Sequence, residues 1–378
     1  MAHTIKEAGV KQPATIGLDL AKSIMHLHAL DENGSTLWKK TLKTDELVIF
    51  LETLEPCLIG IEACGGSHYW YRTFSSLGHT VHMISPLRVK AFVEGQKNDK
   101  NDAAAIANAA INPQTRIVPP RTILQQEIGS LHTMRGLKVK QRTQIINHMR
   151  GMMNEYGISC RTGAIWFESN VQAIVKKVEE DNIFPKIIVE ELLMQVKDLQ
   201  MIKGRIQDVE KHLLGISKED ACKRLMTIPG LGVLISTMLY GYAGNVDYYK
   251  TGRDFAASLG LIPRQYSTGG KQIYGRISKR GNANLRANLV QGARTVIMGG
   301  LKRRKNGKSS SSSLMDWALR CYDRKGINKA GIAVANKISR IAWKILKTER
   351  MVFSPIVPVM LVKEEENQQD KNISLKEK

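Results

Sequence analysis

Short apolar runs separated by turn residues organise the N-terminal part of the chain. Ala14 to Leu20 (ATIGLDL) is a β-rich run, Met25 to Leu30 alternates, and Asp31-Glu32-Asn33-Gly34 signals a hairpin before a strand at Thr36 to Thr41. A helix is predicted around Asp45 to Leu54, then a strand over Cys57 to Glu62 (CLIGIE), a Gly-rich break, a helix from Tyr69 to Leu77 and a strand over Thr80 to Ile84. Asp99 to Ala110 (DKNDAAAIANAA) is Ala-rich and strongly helical. Strands and helices in this order predict a mixed α/β layer over residues 14–115, behind a flexible N-terminus of residues 1–13.

The pattern then becomes helical. Over residues 116–216, Leu192, Leu199, Ile206 and Leu213 recur every seventh position, with Ile202 and Val209 between them. A coiled-coil connector or an intramolecular helical hairpin would each produce this seam. A third region, residues 217–352, opens with LMTIPGLGVLIS, either a helix-hairpin-helix turn whose amides hold a DNA phosphate or a Gly-rich turn between packed helices. Beyond it come a loop-rich basic segment (Gly260 to Gly281), a basic helix (Asn282 to Met298), a cationic cluster with a serine run read as a flexible loop, and two further helices, so this region is mainly α. Residues 353–378 form a tail, charged after Val362, that is expected to be disordered. The apolar stretch Phe353 to Val362 is broken by Pro355 and Pro358, which argues against a membrane span.

Charge sharpens the division. The chain of 378 residues carries 56 Lys and Arg against 35 Asp and Glu, a net +21. Residues 1–115 hold 11 basic against 12 acidic residues, residues 116–252 hold 19 against 14, and residues 253–350 hold 22 against 4. A neutral front joined to a cationic back suggests a catalytic module fused to one that grips nucleic acid. The cysteines, Cys57, Cys64, Cys160, Cys222 and Cys321, show neither zinc nor disulfide spacing, consistent with a reducing cytoplasm.

Four carboxylates in the neutral part sit where strands end or helices begin. Asp19 lies in the strand IGLDLAKS, Glu62 ends IGIEACGG, and Asp99 and Asp102 are three apart, on one face of a helix. Each alone also fits a turn or cap residue. Together they could hold two Mg²⁺ ions roughly 4 Å apart, as in phosphoryl transfer.

In the cationic part, LGLIPRQYSTGGKQIYGRISKRGNANLR places a Ser-Thr pair before two glycines. Arg264, Lys271, Arg276, Lys279, Arg280 and Arg286 surround Ser267 and Thr268, so a hydroxyl there is framed by phosphate-binding groups. Gly269 and Gly270 would let the backbone approach DNA. The segment has no His or acid to take a hydroxyl proton, and the carboxylate-bound metals could fill that gap. Lys302, Arg303, Arg304, Lys305 and Lys308 read as a further phosphate or RNA grip. Tyr240, Tyr242, Tyr248 and Tyr249 fit core packing better than base stacking.

IGLDLAKS, GIEACGGSHYWYR and KNDKNDAAAIANAA resemble the Asp-Glu-Asp-Asp pattern of the RuvC-like domain in one group of bacterial insertion-sequence transposases, related to the Piv and MooV site-specific DNA invertases. The IPGLG turn, the serine segment and the helix GIAVANKISRIAWKIL resemble the second domain of the same group, so the likeness spans about residues 14 to 352. It implies an α/β RNase H-like (RuvC-like) fold, with Asp19, Glu62, Asp99 and Asp102 as Mg²⁺ ligands. It also implies that Ser267 is a nucleophile forming a phosphoserine link to DNA, with Thr268 as the neighbouring alternative. Related members are guided by a structured RNA, which makes element-end and target DNA, a guide RNA and further copies of the chain (a dimer or tetramer) the expected partners, without a membrane. The expected location is the bacterial cytoplasm, at the nucleoid. The competing readings are a RuvC-like Holliday-junction endonuclease and a DNA invertase working without RNA. A sugar kinase, which also opens on an IGLDL-type strand, would need later Gly-rich adenosine motifs that the sequence lacks.

Overall fold

The computed structural model describes residues 11–94, 99–355 and 360–361, so most of the expected N-terminal and C-terminal tails lies outside the described residues. The chain divides into two compact units. One runs to Thr122 and includes Ala243–Tyr248; the other comprises Ile123–Tyr242 and the residues from Tyr249 on.

In the first unit the alternating runs become a five-stranded sheet, ordered β3-β2-β1-β4-β5. Its strands are β1 (Thr15–Asp19), β2 (Ile24–Leu30), β3 (Thr36–Lys43), β4 (Leu58–Glu62) and β5 (Thr80–Ile84). The first three pair antiparallel, and Asp31 opens the β2–β3 turn, its side chain accepting from the amides of Asn33 and Ser35. β4 and β5 continue the sheet in parallel from β1. Parallel neighbours need crossovers, and α1 (Thr44–Glu52) and α2 (Ser67–Ser76) lie in them. After β5 come α3 (Pro86–Val89) and α4 (Asp99–Ile111).

Period-two alternation gives the sheet two different faces. Ile16, Leu18, Ile59 and Ile61 point to one side and form a core with Leu47, Phe50 and Leu51 of α1 and Phe74 of α2. On the other side the intervening residues are glycines, Gly17 and Gly60, directly paired across β1 and β4. This bare patch receives α4. A β-carbon on Gly17 would collide with the backbone of Ala103 and Ala107, and one on Gly60 would come within 2.7 Å of the Ala110 methyl. The Ala-rich sequence of α4 therefore does more than favour helix, because small residues on both surfaces let the helix backbone rest on the sheet. Lys11 and Gln12, within the segment expected to be flexible, are tied to this unit: Trp38 Nε1 donates to the Lys11 carbonyl at 2.9 Å, and Gln12 exchanges hydrogen bonds with the Glu55 backbone.

The second unit is mostly helical. α5 (Ile123–Glu155), α6 (Ala164–Glu180) and α7 (Lys186–Ile216) form its first part. Leu192 and Leu199 of the predicted seam, with Val196 between them, are buried with Ile146, Met149 and Met153 of α5 and Phe167, Val171 and Val175 of α6, so this stretch of the seam packs within the chain. α8 (Asp220–Met226) and α9 (Val233–Ala243) flank the IPGLG turn. Gly230 there has φ +88, and a side chain on it would strike the Gly292 carbonyl of α11 (Ala283–Lys305), so the turn is a joint between packed helices.

Between them lie α10 (Gly252–Ser258) and two strands, β6 (Pro263–Thr268) and β7 (Lys271–Ile277), where the sequence suggested only loop. α12 (Ser313–Lys347) consists of two helices joined at Gly326, matching the expected pair. The end of the serine run is a helix cap rather than a free loop, since Ser312 Oγ accepts from the Met315 amide and the Ser313 amide donates to the Pro355 carbonyl at 3.0 Å. No described helix is long and apolar enough to cross a membrane.

Candidate metal centre and nucleic-acid interface

Seating α4 on Gly17 and Gly60 decides where the acids fall. Asp19 is two residues beyond Gly17 at the end of β1 and Glu62 two beyond Gly60 at the end of β4, so both belong to the face that carries α4. Asp99 and Asp102 occupy the first turn of that helix. Carboxylate oxygens of Asp19, Asp99 and Asp102 all lie within 4.8 Å of one another. Glu62 stands outside this triad, close enough with Asp19 to act on Cys64: burial pushes that thiol up, and Glu62 and then Asp19 push it further.

Three hard oxygen donors this close fit a Mg²⁺-like or Mn²⁺-like ion, which takes carboxylates and water in preference to sulfur or imidazole. His26 was not singled out from the sequence. It is paired directly with Asp19 across the antiparallel ladder, its Nε2 lies 3.7 Å from Asp99 Oδ2, and its Nδ1 is 3.2 Å from Thr41 Oγ1. Only the strand register reveals it, because nothing in the sequence says which residue of β2 faces Asp19. On α2, burial, helped by Arg121 and Arg72, pushes His68 down to about 4, and its Nδ1 accepts from the Arg121 amide, so this imidazole is neutral at physiological pH.

Ser267 lies near the tip of the β6–β7 hairpin, opposite Gln272. Gly269 (φ +55) and Gly270 (φ +78) form the two-residue turn, and left-handed backbone at both positions is why glycines follow the Ser-Thr pair. Ser267 is exposed, and its Oγ accepts from Gln265 Nε2 at 2.8 Å. Thr268, one residue on, faces the other side of the ribbon. Arg264, Lys271, Arg276, Lys279 and Arg280 are exposed around it. Arg286 is used internally, Nη1 donating to the carbonyls of Leu259 and Arg280.

Lys302, Arg303, Arg304 and Lys305 form the last turn of α11, where cations complement the helix dipole. Arg304 is also bound through two nitrogens to Asp323 at 3.0 and 3.1 Å, and Arg303 Nε donates to the Ser309 carbonyl. The tyrosine cluster is partly core: Tyr242 Oη donates to the Ser258 carbonyl and Tyr249 packs edge-on to Phe255 at 5.1 Å.

Residues 16–158, which include all four acids, match a transposase family model of the DEDD type named for IS110. Residues 222–307, which include Ser267, match the model described as the transposase IS116/IS110/IS902 family. The chain belongs to the IS110 family of transposases. It is 38% identical to a probable family 20 transposase of Pseudomonas aeruginosa over 88% of this chain and 97% of that one. It is also 38% identical to the transposase for insertion sequence element IS1328 of Yersinia enterocolitica (90% and 98%), and 34% identical to that for IS1111A of Coxiella burnetii (90% and 92%). Transposases of the IS110 family cut and rejoin DNA, so this chain is a DNA-processing enzyme. Its two family matches fall on the acidic centre and on the basic serine hairpin respectively.

Proposed function

We propose that this IS110-family chain moves an insertion element by joining the chemistry of its two parts, with Asp19, Glu62, Asp99 and Asp102 holding Mg²⁺ and Ser267 attacking a DNA phosphate. The observation that carries the reading is the convergence of Asp19, Asp99 and Asp102 within 4.8 Å at the end of β1. Divalent ions bound there, two per site on this reading with Glu62 as the further ligand, would neutralise charge on the scissile phosphate. The first unit is read as RNase H-like, and the regions 14–115, 116–216 and 217–352 as its catalytic, connecting and serine-bearing parts.

In the step proposed, Ser267 Oγ forms a bond to phosphorus while the bond to the leaving strand oxygen breaks. The serine proton passes to the acidic centre, because the hairpin offers no His or carboxylate. That proton goes on to the leaving strand oxygen. Attack by a second strand hydroxyl then breaks the serine–phosphorus bond, and the proton this hydroxyl loses returns to Ser267 Oγ and restores the serine. Arg264, Lys271, Arg276, Lys279 and Arg280 hold phosphates. A structured guide RNA, a dimer or tetramer in which one copy's acids serve another's serine, kinship with the Piv and MooV invertases, and action in the cytoplasm at the nucleoid complete the reading.

Plasmid excision assays with Asp19→Asn, Glu62→Gln, Asp99→Asn and Asp102→Asn test the acids, each change being expected to abolish excision while leaving DNA binding intact. Sequencing of co-purified RNA tests the guide. A RuvC-like endonuclease that uses water would instead keep cleaving after Ser267→Ala.

A further inference from the structure

The second unit contains a groove of about 1500 Å³ between the β6–β7 hairpin, α10 and α12. Its walls depend on two glycines. Gly326 (φ +69) breaks α12, and Lys337 Nζ lies 4.4 Å over the Trp317 ring, so the second helix returns alongside the first and brings Trp317 and Trp343 into one lining. Gly252 lets α10 close on this pair of helices, since a β-carbon there would come within 3.2 Å of Trp343 Cε3 and the Arg340 carbonyl.

Among the described residues, eight Lys and Arg side chains and no carboxylate line the groove. Arg276 and Lys279 stand on the hairpin side, and Lys325, Lys329, Arg340 and Lys344 on α12, all exposed. Burial, and then Arg340 beside it, hold the Lys337 ammonium below its usual range. Flat apolar surface lies between the cations, with Trp317 and Trp343 half-buried, Tyr274 exposed, and Leu261 and Ile332 behind them. The volume exceeds the roughly 300–1000 Å³ of small-molecule pockets, which favours a polymer. Duplex nucleic acid offers phosphates but hides its base faces, whereas an unpaired strand offers both to a surface that alternates cations with aromatic rings.

The hairpin register adds direction. Gln265 pairs with Tyr274 and Ser267 with Gln272, so Ser267 shares a face of the ribbon with Tyr274, which lines the groove. We propose that this groove binds an unpaired strand of nucleic acid, its phosphates on the Lys and Arg side chains and its bases against Trp317 and Trp343, leading toward the hairpin face that bears Ser267. The proposal rests on the chain acting on nucleic acid, but it does not require Ser267 to be the nucleophile.

Fluorescence anisotropy on the full chain tests it, with three labelled probes of one sequence: single-stranded DNA, the same strand as RNA, and the DNA duplex. Both unpaired probes or one of them should bind about ten-fold tighter than the duplex, and the DNA and RNA arms identify the strand. Trp317→Ala should weaken the unpaired probe about ten-fold with little effect on the duplex, and Trp317→Phe should restore most of the loss. Lys329→Glu and Lys344→Glu, both at exposed positions, should weaken binding and flatten its salt dependence. Ser267→Ala should bind as the parent does, so failure of the serine chemistry would leave this result standing. Duplex bound as tightly as the tighter of the two unpaired probes, or binding unchanged in Trp317→Ala and Lys329→Glu, would overturn the proposal.

Discussion

Gly17 of β1 lies directly beneath Ala107 of α4, with no room for a side chain between strand and helix. Because Asp19 is two residues along the same strand and Asp99 and Asp102 begin the same helix, this contact sets the spacing of the carboxylates. Gly17→Val is therefore expected to lift α4 and disperse the triad. Overpacking of this kind costs about 1–3 kcal/mol. Thermal unfolding should show a lowered Tm, and titration with Mn²⁺ should show weakened binding, whereas Gly34→Ala, in the β2–β3 turn, should leave Mn²⁺ binding unchanged.

If the carboxylates hold a divalent ion, that ion stabilises the folded chain by mass action. Adding Mg²⁺ or Mn²⁺ to metal-free protein should raise Tm, and EDTA should reverse the rise. Asp19→Asn and Asp102→Asn should abolish the increment while raising or preserving the metal-free Tm, since each removes one of three clustered negative charges. An undiminished increment in both variants would place the ion elsewhere.

Arg224 is a structural cation rather than a nucleic-acid contact. Nearly buried at 9% exposure, it binds Asp220 through Nε at 2.6 Å, and its Nη1 donates to the carbonyls of Ile345 and Thr348 at the end of α12. Arg224→Met leaves those carbonyls short of a donor and is expected to cost about 1–3 kcal/mol by urea denaturation. Lys223→Met, next to it and exposed, is the control and should cost little.

Acid should weaken the fold through His132. Its Nε2 donates to Thr237 Oγ1 at 2.9 Å while that hydroxyl donates to the Val233 carbonyl, and burial, with Arg135 adding, pushes the imidazole down to about 4. The unfolded chain takes up this proton near pH 6.5 and the folded chain only near pH 4, so stability is full above about 6.5 and falls as the pH is lowered toward about 4. His132→Gln, which keeps a donor for Thr237, should flatten that part of the stability profile.

The strands of the first unit were legible because their core-facing residues alternate, and α4 because of its alanines. Their joint placement was not legible: Gly17 and Gly60 look like weak points in strands until they are seen to be paired and covered by a helix. His26 was hidden for the same reason, since register is a property of the pairing. The β6–β7 hairpin escaped notice because both its faces are exposed, leaving no hydrophobic alternation, although Gly269-Gly270 already carried the turn signal. The heptad positions of α7 were visible, but α5 and α6 of the same chain, not a second copy, cover Leu192 and Leu199. Trp317 and Trp343 lie 26 positions apart, and only the break at Gly326 brings them to one groove.

The central claim is that the acids of one unit and the serine of the other serve one reaction. Incubating the full chain with element-end DNA and Mg²⁺, denaturing it and mapping nucleotide-bearing peptides by mass spectrometry tests this most directly. The account predicts a nucleotide remnant on Ser267, absent in Asp19→Asn and Asp102→Asn and absent without the metal. DNA cleavage that persists in Ser267→Ala, or a Ser267 adduct that forms in the Asp variants, would contradict it.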